Sequence, residues 1–139
     1  MPIEDLARSN VVTADPDTAV TELAATMGEE NVGSVVITNE DTPVGIVTDR
    51  DLTVRILGEE ADSADQTADD VMTSDLCTVE RTAGFYEATG LMSEHGIRRL
   101  PVCEDNTLVG IVTADDLSEL LADEHQHFGD IIRAQRSEY

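Results

Sequence analysis

The sequence predicts an α+β protein built from two β-α-β-β-α units, packed sheet to sheet with pseudo-twofold symmetry. Three observations carry this. The chain repeats itself: Gly45-Ile46-Val47-Thr48 falls on Gly110-Ile111-Val112-Thr113 at an offset of 65 positions, and the same offset pairs Ser9 with Ser74, Thr13 with Thr78, Glu22 with Glu87, Met27 with Met92, Val44 with Val109 and Asp51-Leu52 with Asp116-Leu117. Register held without a gap over that distance marks an internal duplication. Each copy combines one segment of 3-and-4-spaced apolar residues with two β-branched runs. Finally, 139 residues that are 40% hydrophobic suit one compact domain, and neither unit alone covers both faces of its small sheet.

Taken in order, Asp17 or Thr18 is placed to cap a helix whose apolar positions are Val20, Leu23, Ala24 and Met27, and Gly28 to Gly33 breaks it. Val35-Val36-Ile37 and Val44 to Val47 read as strands around a turn at residues 39–43, and a short helix from about Asp49 to Leu57 closes the first copy. Residues 59–70 are acidic and poor in apolar side chains, which predicts a linker ending in a short helix at Ala68 to Met72, the counterpart of Ile3 to Ala7. In the second copy the helix carries Phe85, Ala88, Leu91 and Met92 and stops at Gly96. Leu100 to Cys103 and Leu108 to Val112 pair around Glu104-Asp105-Asn106, and Asp115 to Leu121 forms the closing helix. The expected boundaries are therefore residues 1–58 and 71–123 for the repeats, 59–70 for the linker and 124–139 for a tail. Phe128, Ile131 and Ile132 suit that tail either to a helix packed on a partner subunit or to a frayed end.

Charge narrows the function. Thirty acidic residues against eight basic ones give a formal net charge of −22, and all eight cations are arginine. Such a chain is repelled by nucleic-acid backbones and by anionic membrane surfaces. No apolar stretch approaches the ~18 residues that span a bilayer, and the N-terminus lacks a signal-peptide pattern. A soluble, cytoplasmic protein is expected. Carboxylates spread along the whole chain, without lysine, fit a halophile's cytoplasm, where the Debye length shrinks to roughly 3 Å at 1 M salt. Cys77 and Cys103 stand apart from any CxxC or Cys/His cluster, so they are expected to be buried thiols rather than a disulfide or a metal site. There is no Ser/His/Asp array and no P-loop lysine, and a catalyst is not expected. His95, next to Gly96, suits a helix C-terminus.

The duplicated Gly-x-x-Thr-x-x-Asp element carries the chemistry. A threonine at a strand end, followed by a helix start, offers its hydroxyl and free backbone N–H groups to a phosphate. An aspartate three residues later accepts ribose hydroxyls. The same residues, Thr48 and Asp51 or Thr113 and Asp116, also serve simply as helix caps.

Met72-Thr73-Ser74, His95-Gly96-Ile97-Arg98-Arg99-Leu100-Pro101-Val102, and the segments Gly45 to Asp51 and Gly110 to Asp116 resemble CBS domains, the modules named after cystathionine β-synthase. The resemblance covers nearly the whole chain as a tandem pair, a Bateman module. It implies a regulatory module with no required cofactor that binds an adenosyl ligand (AMP, ADP, ATP or S-adenosylmethionine) between the repeats, senses energy state, signals to a partner protein and forms a disc-like homodimer. A structural dimerisation module without a ligand is the alternative. Two sites are implied, because the Thr and Asp of one repeat face the early segment of the other. One would join Thr48, Arg50 and Asp51 to Asp75, Cys77, Ile97, Arg98 and Arg99. The other would join Thr113, Asp115 and Asp116 to Asn10, Val12, Val32, Gly33 and Ser34. On this reading the arginines gather in the first-named set, which is expected to hold the nucleotide phosphate, and the other set has no arginine.

Overall fold

A computed structural model describes residues 1–136. The strands assemble into two three-stranded sheets, ordered β1-β2-β3 and β4-β5-β6. In the first, β1 (Thr13–Ala14) runs parallel to β2 (Ser34–Asn39), which pairs antiparallel with β3 (Thr42–Thr48) in the register Val35↔Val47 and Val36↔Ile46. In the second, β4 (Val79–Glu80) is parallel to β5 (Arg99–Glu104), which pairs with β6 (Thr107–Thr113) in the register Leu100↔Val112 and Pro101↔Ile111. Each hairpin turns on two residues of positive φ, Glu40-Asp41 and Asp105-Asn106. Left-handed turns of that kind match the strand twist.

The parallel connection in each sheet is a helix: α1 (Val20–Glu30) and α4 (Phe85–His95). Helix α1 runs through Gly28 and ends on Asn31 in the left-handed conformation, two turns' worth of chain being held by Val20, Leu23 and Met27 in the core. The helix end at Asn31 falls within the break expected over Gly28 to Gly33. Neither Asp17 nor Thr18 caps it; Ala19 is the cap residue, without a side-chain bond, and its backbone bridges to Thr67. Gly96, at φ 62°, does end α4, and the His95 ring meets the Leu91 carbonyl at 3.0 Å. Helix α2 (Asp49–Leu52) continues as a wider turn over Thr53–Leu57.

Odd positions of β2 face the helices, where Val35, Ile37 and Val47 pack with Leu23, Met27 and Ile56. Val36 and Pro101 point the other way and are fully buried, as β3 lies against β6. The sequence expectation of one shared core becomes two cores and a sheet-to-sheet contact. The two cores exchange their leading segments. Ile3, in a helical turn over Ile3–Asp5, is wholly buried among second-repeat residues Val79, Ala88, Leu100 and Val112. Conversely α3 (Ala68–Val71), at the end of the expected linker, places Ala68 and Val71 in the first repeat's core. Backbone bonds fix the exchange: Ile3 N–H donates to Ala83 O at 2.7 Å, and Ala68 N–H to Thr18 O at 2.8 Å.

The closing helix is longer than expected. Helix α5 (Ala114–Gln135) crosses the expected 123/124 boundary without interruption. Residues 137–139 of the expected tail lie outside the described residues. No described helix is long and apolar enough to cross a membrane.

Candidate functional site

Three strand ends and a helix start meet at one mouth of the sheet-to-sheet contact. The chain before β1 is held there by Val36 N–H donating to Val12 O at 3.0 Å. The start of β2 is tied to α2 by Asp49 N–H on Gly33 O at 3.0 Å, and the start of β5 to α5 by Ala114 N–H on Arg98 O at 2.8 Å. Between them opens a cavity of about 310 Å³. Asn10 and Val12, then Val32, Gly33 and Ser34, line it from the first repeat. Thr113, Asp115 and Asp116 line it from the second. All eight residues expected in the second-named set are therefore brought together, and the volume is at the lower end of the range for small-molecule sites.

Arg98 and Arg99 line this same cavity, together with Arg8. That corrects two expectations: these two arginines are not confined with Thr48 and Asp51, and the cleft of Asn10 and Asp116 is not without arginine. Gly33 supplies the reason. A Cβ at Gly33 would stand 2.9 Å from Arg99 Nη2, so the missing side chain is the space the guanidinium occupies. The glycine of the first repeat thus admits the arginine of the second.

The charges are largely paired. Arg8 donates through Nε and Nη2 to the two Asp116 oxygens at 2.9 and 2.6 Å. This bidentate contact holds the Asp116 carboxyl below its ordinary range and raises Arg8. Arg98 donates to Asp115 at 2.7 Å across an exposed pair. Arg99, half-buried, has no ion pair or side-chain hydrogen bond among the described residues.

The two repeats use the Thr/Asp element differently. Thr48 accepts from Asp51 N–H at 3.1 Å while the Asp51 carboxylate accepts from Thr48 N–H at 2.9 Å, closing a reciprocal cap. In the second repeat Thr113 accepts from Asp116 N–H at 3.1 Å, and the Asp116 carboxylate is turned to Arg8 instead. Arg8 is the residue that the sequence reading missed. At the offset of 65 it falls on Thr73, so nothing in the repeat marks it. It reaches Asp116 because Arg8 and Ile111 exchange backbone bonds at 2.9 and 3.0 Å, made possible where Gly110 leaves room.

The other expected set is not gathered by this cavity. Arg50 and Asp75 are exposed, Cys77 is half-buried against the second core, and Ile97 lines an apolar groove between α4 and α5. Burial pushes both thiols up, Cys77 and the buried Cys103 alike.

Comparison with known proteins agrees with this architecture. The CBS domain profile matches twice, over residues 3–58 and 68–123, so the second match begins inside the expected linker. A Methanopyrus kandleri protein, MK0525, is 40% identical over 120 residues, which is 85% of this chain and 61% of that protein. This chain thus spans less than two thirds of that relative. The Bacillus subtilis CBS domain-containing protein YhcV is 32% identical over 116 residues, covering 84% of this chain and 82% of the relative. Among solved structures, the CBS domain pair of protein MJ0100 in complex with 5′-methylthioadenosine and S-adenosyl-L-methionine superposes with a TM-score of 0.80 at 25% identity, covering 89% of this chain and 98% of that one. Pairs of this kind are generally regulatory rather than catalytic. With both repeats matched and their cleft formed, the chain belongs to the CBS domain family as a tandem pair.

Proposed function

We propose that the cleft between Asn10 and Asp116 binds an adenosyl ligand and that its occupancy is signalled to a partner protein. The observation that carries this is the cavity itself, which gathers the duplicated Thr/Asp element of one repeat, the early segment of the other, and Arg99 without an ion pair. Backbone groups near Val12 take the adenine edge, with Val32 against the ring. The ribose hydroxyls take Asp116, in exchange for Arg8. Arg99 takes a phosphate or carboxylate, the charge-assisted contact for which its planar fork is suited. Binding transmits only the difference in affinity between two arrangements of the repeats, typically about 1–3 kcal/mol. The remaining set, Thr48, Arg50, Asp51, Asp75, Cys77 and Ile97, is proposed as a second, weaker site.

One observation favours a second reading. Asp115 and Asp116 are already held by Arg98 and Arg8, which suits a structural dimerisation module that binds no nucleotide. A thermal-shift panel in high-potassium buffer with AMP, ADP, ATP, S-adenosylmethionine, NAD and GTP separates the two. At a hundredfold excess over Kd a ligand stabilises by about 2.7 kcal/mol, a shift on the order of 3–6 °C. A selective shift by adenosyl compounds supports the sensor, and calorimetric stoichiometry counts the occupied clefts. A flat panel from folded protein leaves the structural module.

A further inference from the structure

One side of the cleft is rich in carboxylates. Asp115, Asp116 and Glu119 follow one another at the start of α5, and all three line the cavity. Asp115 is paired with Arg98 and Asp116 with Arg8, whereas Glu119 makes no ion pair or side-chain hydrogen bond among the described residues. Asp116 and Glu119 are three positions apart, so their side chains share one face of the helix. The Arg8 guanidinium lies on that face. It grips Asp116 at 2.6 Å, and its proton affinity is raised by Asp116 first and by the nearby charge of Glu119 as well. The two members of the pair differ in freedom: the Arg8 side chain is 68% exposed and that of Asp116 only 18%. Asp116 is fixed further by its backbone N–H, which donates to Thr113 Oγ1 at 3.1 Å, and the Arg8 backbone is fixed by its exchange with Ile111. The guanidinium is therefore the part of this pair that can move.

A ligand that takes Asp116 must displace that guanidinium. Sent into solvent, Arg8 forfeits a bidentate charged contact; one turn farther along α5, Glu119 offers it another carboxylate. Three residues at a rise of 1.5 Å separate the two carboxylates by about 4.5 Å along the helix axis. Rotation about the arginine's side-chain bonds covers that distance without moving the Arg8–Ile111 backbone pair. We propose that Glu119 is the alternative seat for Arg8: a ligand on Asp116 moves the guanidinium from Asp116 to Glu119, and the cleft opens without leaving the arginine unpaired. This rests on the reading that a ligand takes Asp116. Glu119 acts through Arg8, as a positioning residue rather than a ligand contact, and lowers the cost of ligand entry by the worth of one exposed ion pair. The swing also changes the charge pattern at the rim of the cleft, so the empty and occupied states differ on a surface that a partner can read.

Two measurements on the full chain test it. The first uses no ligand. Asp116→Asn removes the carboxylate of the first seat and keeps the backbone N–H that donates to Thr113. Nuclear Overhauser contacts from the Arg8 δ-methylene protons, which in the wild-type chain run to Asp116, should then appear at the Glu119 γ-methylene; their absence there overturns the proposal. The second is a double-mutant cycle, read by calorimetry with AMP, or with S-adenosylmethionine if AMP does not bind. Glu119→Gln should weaken binding about two- to fivefold more in chains that keep Arg8 than in Arg8→Met chains, the scale of an exposed ion pair. The general effect of removing a charge cancels from that difference. Equal effects in both backgrounds, with the wild-type chain binding the probe, overturn this proposal and leave the cleft reading in place. Binding of neither probe to the wild-type chain overturns both.

Discussion

Arg8 grips Asp116 side-on, and the consequence is a carboxyl group whose folded-state affinity for protons is reduced. A carboxylate depressed in the folded state contributes stability that is complete above its unfolded value, about 3.9, and is lost as pH falls through the lower folded value. Acid unfolding of the wild-type chain and of Arg8→Met, followed by circular dichroism, should therefore differ above pH 4 and converge as the pH falls below it. The same pair guards the cleft. Arg8→Met frees Asp116 for a ribose, and calorimetry on the adenosyl compound selected by the thermal-shift panel should find tighter binding; weaker binding would mean that Arg8 itself contacts the ligand. Arg99 has the opposite role. Its truncation to alanine should weaken a phosphorylated ligand roughly tenfold, the scale of about 1.5 kcal/mol for a bond to a charged group, and leave adenosine unchanged. The Thr/Asp element was legible from its duplication, whereas Arg8 was not: an arginine facing a threonine in the repeat alignment has no local signal, and only the Arg8–Ile111 backbone exchange puts it there.

Among the elements, the hairpins and the two connecting helices follow from local patterning. Val35-Val36-Ile37 is β-branched, and Val20, Leu23 and Met27 share a helical face. Boundaries were less legible. Helix α1 passes Gly28 because Met27 is anchored in the core, and burial outweighs a glycine penalty of about 1 kcal/mol. The destination of Ile3 was not legible either, since its apolar character says that it is buried but not in which repeat. Because Ile3 belongs to the second core, Ile3→Ala should cost roughly 2–5 kcal/mol and loosen β5 and β6 first. Amide exchange read strand by strand checks this; faster exchange in β2 and β3 instead would contradict the crossed arrangement.

For the molecule as a whole, the acidic surface sets the conditions under which the fold holds. Among the described residues the carboxylates other than half-buried Asp51 and Asp116 are exposed, and no charged side chain is fully buried. Self-repulsion at −22 then acts through solvent, where salt screens it. Melting in 2 M and in 0.01 M potassium chloride should show a lower transition in the dilute buffer, with Debye lengths of roughly 2 Å and 30 Å. An unchanged transition would remove the halophilic reading.

The sequence by itself determined the duplication, the α+β class and the Thr/Asp chemistry, because periodicity, turn residues and repeated motifs are properties of neighbouring residues. Tertiary structure decided which cleft receives the arginines, how the leading segments cross between cores, and that Asp116 is paired while Asp51 caps its own helix. Those depend on the approach of residues far apart in the chain: Arg8 to Asp116, Arg99 to Gly33 and Ile3 to Ala83. A repeat aligned with itself treats its two halves as equivalent, and packing is what makes them differ.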